Sequence, residues 1–287
     1  MNRKTNSRSA LKIYPGLATS DGAGVRLTRY IGSPQLDHLD PFLLLDYFQS
    51  DNPDDYIAGF PSHPHRGFET VTYLLAGRVR HEDNAGHAGV IETGGIQWMS
   101  AGRGIVHSEM PEQEAGQLAG FQLWVNLPAA KKMAAPRYQE FSSSEIPVES
   151  RTHGVEIRVI AGNTSLGTQG PVRDVSTRPI YLDITLPPGQ SFYEPIPTDY
   201  AAFVFVIDGP LRICGGSTEK DMLTAAKQLA TLRPGDRVHL AAENSRARCL
   251  LICGQPLKEP IVRYGPFVMN TREEVLKAAH DFQSGNF

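Results

Sequence analysis

Cysteine is scarce in this chain, with 3 cysteines among 287 residues. Cys214, Cys249 and Cys253 are an odd number and lack the spacing of a zinc finger, which argues against both a disulfide framework and a cysteine-based metal site. Cys249 and Cys253 stand four apart in an apolar run, so as strand residues they share a face and are predicted to lie in a core.

Long hydrophobic runs are also missing. No segment is apolar for the length that a membrane-spanning helix requires. The start of the chain carries Arg3, Lys4, Arg8 and Lys12 but lacks the apolar stretch of a signal peptide. We therefore expect a cytoplasmic protein with no membrane contact.

Neither sign of charge dominates. The chain has 28 Lys and Arg against 31 Asp and Glu, a formal net charge of -3, and no block of basic residues. A surface that neutralises a run of phosphates needs such a block, so we expect no direct contact with nucleic acid. The hydrophobic share of 40% is that of a globular protein, and the length suffices for two medium domains.

Short β-type runs separated by glycine and proline are what the sequence does have. This spacing predicts an all-β sandwich or barrel. The clearest predicted strands are Thr70–Leu75, Gly95–Met99, Phe121–Val125, Val155–Ile160, Tyr181–Leu186, Ala202–Ile207 and Leu250–Ile252. One helix is predicted at the end of the chain, where Asn270 or Thr271 can cap it and Glu273 or Glu274 follows three residues later.

The chain contains two similar halves. Each reads as a strand, a glycine turn (Gly77 or Gly209), a second strand, another glycine turn (Gly95 or Gly235) and further strands. We therefore predict two tandem β-barrels of jelly-roll type with a short C-terminal helix. The predicted domains are residues 1–145 and 146–287, joined through the polar segment around 142–155.

The segment from His63 to Glu69 is the richest in chemistry. His63 and His65 alternate on a predicted strand, so their side chains point to one face with Cα atoms about 6.6 Å apart and can converge on one metal ion. Glu69, four residues further along, keeps the same parity. Spacing alone thus indicates two histidine ligands with a carboxylate nearby.

A second pair repeats this spacing further along. His107 and Glu109 follow a glycine-rich turn at residues 102–104. Two strands can thus supply three imidazoles and a carboxylate to one centre, a set that suits Fe(II), Mn(II), Zn(II), Cu(II) or Ni(II). An ion that takes five or six ligands would keep open positions for substrate or dioxygen.

These motifs resemble the signature blocks of the pirin family. The resemblance rests on residues 63–73 (HPHRGFETVTY), 97–111 (QWMSAGRGIVHSEMP) and 265–271 (GPFVMNT), and it extends over almost the whole chain. It implies a bicupin fold, two cupin-type barrels in tandem, with one metal per chain, usually iron and here expected as Fe(II), in the N-terminal barrel.

The resemblance also assigns ligands. It transfers the pirin ligands onto His63, His65, His107 and Glu109. The wider cupin superfamily takes its carboxylate from the first motif, which here is Glu69, and has proline where Gly102 stands. Glu69 therefore stays as the rival of Glu109.

The second half is expected to be free of metal. Aligning Gly209 with Gly77, and Gly235 with Gly95, sets non-ligating residues opposite most of the candidate ligands of the first half. Pro195, Pro197 and Ala201 stand opposite His63, His65 and Glu69 and cannot bind a metal through a side chain, while Ala247 and Cys249 stand opposite His107 and Glu109.

Pirin resemblance implies a quercetin 2,3-dioxygenase-like oxidoreductase. A flavonol substrate would chelate the metal, Glu109 or Glu69 would act as general base, and dioxygen would attack the ring. The alternative is a metal- or redox-sensing regulator that binds a protein partner, either a transcription factor or a metabolic enzyme. A purely structural metal is the third interpretation.

Overall fold

The computed structural model describes residues 6–216 and 219–287. The first five residues of the predicted N-terminal domain, with Arg3 and Lys4, therefore lie outside the described part. Within it, no helix is long and apolar enough to cross a membrane.

The first half of the described chain forms twelve strands. They are β1 (Ala10–Tyr14), β2 (Leu17–Asp21), β3 (Val25–Ile31), β4 (Phe42–Ser50), β5 (Phe60–His65), β6 (Phe68–Ala76), β7 (Arg78–Asp83), β8 (Ala88–Glu92), β9 (Ile96–Ser100), β10 (Ile105–Pro111), β11 (Leu118–Asn126) and β12 (Arg137–Phe141).

The second half of the described chain forms twelve more strands and one α-helix. They are β13 (Val148–Ser150), β14 (Glu156–Ala161), β15 (Ile180–Leu186), β16 (Ser191–Pro195), β17 (Ala201–Asp208), β18 (Leu211–Ile213), β19 (Met222–Thr224), β20 (Gln228–Leu232), β21 (Arg237–Ala242), β22 (Ala247–Gly254), β23 (Val262–Tyr264), β24 (Phe267–Met269) and α1 (Arg272–Gln283). Short 3-10 turns at Pro53–Asp55, Ala129–Lys131, Ser143–Glu145 and Thr152–Gly154 complete the elements.

The all-β prediction with one C-terminal helix is confirmed. Every strand predicted above falls on β6, β9, β11, β14, β15, β17 or β22. The predicted cap is Thr271, whose hydroxyl accepts from the Glu274 backbone, while the Glu274 carboxylate accepts from the Thr271 backbone. This reciprocal capping box satisfies donors that the first turn of a helix leaves open.

The described chain divides into two compact units. The first barrel comprises Leu17–Ser144 with Leu257–Phe287, and the second barrel comprises the residues up to Gly16 with Glu145–Pro256. The division near residue 145 lies close to the predicted one. The two ends of the chain, however, are exchanged between the units: the start belongs to the second barrel and the end belongs to the first. Strand pairing explains the exchange at the start, because β1 pairs with β20 of the second barrel.

Besides the two-stranded sheet of β23 and β24, the first barrel has two larger sheets. One has seven strands in the order β12-β9-β6-β11-β4-β3-β2, and the other has four in the order β5-β10-β7-β8. An apolar cluster that includes Leu27, Phe48 and Val79 packs between them. Since strand side chains alternate between faces, the inward positions of both sheets meet in one interior.

The second barrel repeats this plan with β1-β20-β17-β22-β15-β14-β13 and β16-β21-β18-β19. In β16 and β21, the strands that take the places of β5 and β10 in the sheet order, Phe192 pairs with Leu240. Both side chains belong to an apolar core that also contains Cys249 and Cys253, as predicted for those cysteines. This pair therefore packs in a hydrophobic core.

The fixed glycine alignment of the sequence analysis misses these positions. It set Ala247 and Cys249 opposite His107 and Glu109, but both residues lie in β22, which takes the place of β11 rather than of β10. Loop lengths differ between the halves, so an alignment without gaps sets residues of β22 opposite residues of β10.

Lys132 fixes the turn between β5 and β6 from inside the first barrel. Its side chain is 1% exposed, and its ammonium donates to the Gly67 carbonyl (2.7 Å), the Asn126 side chain (2.7 Å) and the Val268 carbonyl (2.9 Å). Gly67 has φ of +88°, and a Cβ there would collide with the Val268 carbonyl oxygen, so glycine is required at this turn.

Replacing Lys132 tests how strongly this anchor holds the barrel. Lys132→Met leaves three buried oxygen acceptors without a donor, so we expect the free energy of unfolding to fall by about 3 kcal/mol. Urea unfolding followed by fluorescence measures the change. Its exposed neighbour provides the control, because Lys131→Met should change the same quantity by less than about 0.5 kcal/mol. Equal effects of the two variants would contradict the role of the anchor.

Candidate metal centre

Antiparallel pairing of β5 with β10 brings three histidines together. His107 lies directly opposite His63, and His65 follows two residues later on the same face of β5. One nitrogen from each of the three rings lies within 4.8 Å of those from the others, and the ring centroids are 4.5 to 5.1 Å apart. Small side-chain adjustments allow such a group to share one ion. Among the described residues, no other group of histidine, cysteine, aspartate or glutamate is arranged in this way.

Each of the three histidines has a ring nitrogen that is available to bind a metal. Nδ1 of His63 lies 2.8 Å from the Pro61 carbonyl oxygen. A carbonyl oxygen only accepts, so Nδ1 carries the proton and Nε2 presents its lone pair. His65 Nδ1 and both ring nitrogens of His107 are buried and have no hydrogen-bond partner among the described residues. Buried imidazole nitrogens without partners are costly unless something binds them.

Burial keeps two of these imidazoles neutral. It lowers the pKa of His65 well below its ordinary value, with further lowering from the neighbouring His107 and His63. It likewise lowers the pKa of His107 to about 4. A metal binds the unprotonated ring, so near neutral pH no proton has to be displaced from either residue first.

Glu109 reaches the same interior through an irregularity in β5. Between the His107–His63 pair and the Glu109–Phe60 pair, β5 contains one residue more than β10. Such a bulge re-aims neighbouring side chains. Glu109 is 4% exposed and accepts from the Thr72 hydroxyl (2.8 Å) and from the Gln122 amide (2.9 Å). Each oxygen keeps a further lone pair for a metal or a substrate proton.

Glu69 points away from the side of β6 that faces Glu109. The chain turns at Gly67, so the parity of β5 does not continue into β6. On β6, Thr72 points to Glu109, and Glu69, three residues earlier in a regular stretch, points to the opposite face. Burial raises the pKa of Glu69 to about 7. The geometry thus favours Glu109 over Glu69 as the carboxylate of the centre.

Gly102, where the wider superfamily has proline, is explained by its backbone. Its φ is +50°, which proline cannot adopt, and a Cβ would collide with the Ala134 carbonyl oxygen. The Gly102 carbonyl accepts from the Gly67 backbone (2.9 Å), which ties the turns before β6 and β10 together. This departure from the superfamily pattern leaves the histidine pair in place.

A cavity of about 590 Å³ opens in front of the histidines. His63, His65 and Glu109 line it, and its wall includes Phe60 and Trp124. The Trp124 ring lies edge-on to His65, with centroids 5.2 Å apart. This volume and aromatic lining are typical of pockets for small organic molecules.

Sequence reasoning missed several residues of the site. Thr72 and Gln122, which hold Glu109, and Trp124, which walls the cavity, were read only as strand residues. Alternation would have placed Gln122 and Trp124 on one face of β11, but it gives no sign of which face meets the histidines.

The donor set fits a divalent metal. Three closely spaced imidazoles, two of them buried, with a hydrogen-bonded carboxylate beside them, are ligands for such an ion, and their type does not choose between iron, manganese, zinc, copper and nickel. The group borders an open cavity rather than a sealed core. Such a centre leaves room for a further ligand.

Comparisons with known proteins agree with this architecture. Residues 24–125 match the family model "Pirin", and residues 181–287 match "Pirin C-terminal cupin domain". A pirin-like protein of Caulobacter vibrioides is 52% identical over 98% of this chain and 99% of its own length. A Pseudomonas aeruginosa protein, provisionally described as a quercetin 2,3-dioxygenase, is 48% identical over 98% of both chains.

A solved structure shares the fold. The crystal structure of a quercetin 2,3-dioxygenase from Acinetobacter baumannii superposes with a TM-score of 0.88, at 35% identity and over 98% of both chains. The bicupin fold expected from the sequence is thereby confirmed. With family models on both halves and close relatives along nearly its full length, this chain belongs to the pirin family.

Proposed function

We propose that this protein is a metal-dependent dioxygenase that cleaves flavonols such as quercetin at a mononuclear iron(II) site formed by His63, His65, His107 and Glu109. The observation that carries the proposal is the position of the three histidines. Their ring nitrogens converge, and two of the three, His63 and His65, line a cavity that is large enough for a planar aromatic molecule. A purely structural metal would sit in a closed site instead.

The protein side chains have distinct roles in this proposal. A bound ion would supply Lewis acidity at a chelating hydroxyl of the substrate. Glu109 would accept the hydroxyl proton, while Thr72 and Gln122 hold its carboxylate in place. Trp124 and Phe60 would orient the aromatic plane and limit access of water.

Similarity supports the same choice of substrate. The Acinetobacter structure carries the name quercetin 2,3-dioxygenase, and the Pseudomonas relative carries it provisionally. A fold alone hosts many activities, so this support counts only together with the site. Iron is our choice among the metals that the ligands accept, and cytoplasmic location stays a prediction. The regulatory alternative, with its protein partner, also stays a prediction from the family resemblance.

Removal of the histidine ligands is the direct test of the metal and of the activity. We expect a His63→Ala, His107→Ala double variant to lose its metal and at least about 100-fold in flavonol consumption, because metal catalysis needs the ligands. Elemental analysis and loss of flavonol absorbance under oxygen measure the two effects. His38→Ala, an exposed histidine paired with Asp37, is the matched control and should change neither. Unaltered turnover by metal-free protein would refute the proposal.

The choice between the two carboxylates is tested by a pair of variants. Glu109→Gln removes the proton acceptor, so kcat should fall by about 100-fold or more. Glu69→Gln alters a carboxyl group on the other face of β6 and should leave metal content unchanged and kcat within about threefold. Steady-state kinetics with quercetin distinguish them. The reverse order of effects would assign the role to Glu69.

A further inference from the structure

Arg263 stands at the mouth of the cavity that contains the candidate metal centre. It belongs to β23, and it lines the cavity together with His63 and His65. Its guanidinium carbon lies 4.8 Å from the centre of the Trp124 ring. Stacking on the indole fixes the plane of the guanidinium and leaves its edge free for hydrogen bonds.

The terminal donors of Arg263 have no protein acceptor. Its Nε donates to the Gly265 carbonyl (3.2 Å), and no carboxylate of the described residues lies within ion-pair distance of it. Besides Glu109, the acids that line the same cavity are Asp46 and Asp21, and both are held by Arg29, at 2.6 and 2.7 Å. Arg263 therefore offers a forked pair of donors that matches a carboxylate in shape and charge.

The charges around the cavity favour an anion at this position. Arg29 makes a two-point contact with Asp46 and a further contact with Asp21, which offsets part of their negative charge. A divalent ion on the histidines would add two positive charges against the single carboxylate of Glu109. A negatively charged ligand would thus meet attraction from both ends of the cavity.

Trp124 connects the two ends. Its ring faces Arg263 on one side, and its centroid is 5.2 Å from that of His65. The guanidinium carbon consequently lies no further from the His65 ring than these two distances added together. A planar molecule of two or three conjugated units is long enough to bridge such a span past the edge of the indole.

We propose that Arg263 and Trp124 form a subsite for a carboxylate, so that the protein prefers planar aromatic chelators bearing an acidic group at the end remote from the metal. This inference rests on the proposed function only in placing the chelating oxygens at the three histidines. Beyond the neutral flavonols of the proposed function, it adds aromatic acids with a chelating diol or hydroxy-ketone to the ligands that the cavity should bind.

Binding without turnover tests the subsite. The full-length protein is loaded with zinc, which does not activate dioxygen, and is titrated by calorimetry with caffeate and with caffeic acid methyl ester. The two probes share the catechol chelator and differ in the charge of the far end. We expect caffeate to bind at least about tenfold more tightly, as a charge-assisted pair allows.

Variants assign this preference to one residue. Arg263→Gln should reduce the preference to within about twofold while the affinity for the ester changes by less than about threefold. Arg26→Gln removes the same charge from β3 at a residue that is 77% exposed in its side chain and does not line the cavity, so it should keep the preference. Thermal melting of each variant shows that the fold is intact.

Other outcomes overturn the proposal. The subsite is rejected if the wild type binds the two probes with equal affinity or binds neither of them. It is also rejected if Arg263→Gln keeps the preference for caffeate. A parallel loss of both affinities in Arg263→Gln would mean that the arginine only supports Trp124. None of these measurements involves dioxygen, so a failure of the dioxygenase proposal, seen as no flavonol consumption, is separate from a failure of the subsite.

Discussion

The register between β5 and β10 is the constraint on which the candidate metal centre depends. It sets His107 opposite His63 and leaves His65 two residues further on the same face, so backbone hydrogen bonds position three imidazoles at once. The additional residue in β5 beyond His63 then allows Glu109 to meet Thr72 and Gln122. A shift of β5 by one residue would turn both His63 and His65 to the other face.

Residues from the end of the chain hold this register in place. Arg66, next to His65, makes a buried ion pair with Asp281 (2.8 Å), and its guanidinium lies 4.4 Å from the centre of the Phe287 ring. The Arg66 carbonyl accepts from the Val268 backbone (3.0 Å). These contacts, with that of Lys132 to the Val268 carbonyl, explain why the C-terminal segment belongs to the first barrel. The same segment supplies Arg263, which gives it a part in shaping the cavity as well as in supporting the ligands.

Much of this could be predicted from the sequence, because the informative signals are local. Alternation gave the strands, the capping pattern gave α1, and the i, i+2 spacing gave His63 with His65 and His107 with Glu109. Parity failed for Glu69, since the turn at Gly67 breaks the strand and resets the alternation. The cavity wall could not be predicted either, because Gln122 and Trp124 reach it from β11 and Arg263 reaches it from β23, far along the chain. Only the sheet order of the folded barrel decides which of these residues face the metal.

The central claim is that one ion lies between His63, His65, His107 and Glu109, and anomalous diffraction tests it most directly. Crystals of protein purified without added metal would be measured above and below the iron absorption edge. The account predicts one anomalous peak per chain, about 2.1 Å from a nitrogen of each histidine and about 2.2 Å from a Glu109 oxygen. A peak centred on Glu69, or in the second barrel, or no peak in protein that shows flavonol-cleaving activity, would contradict it.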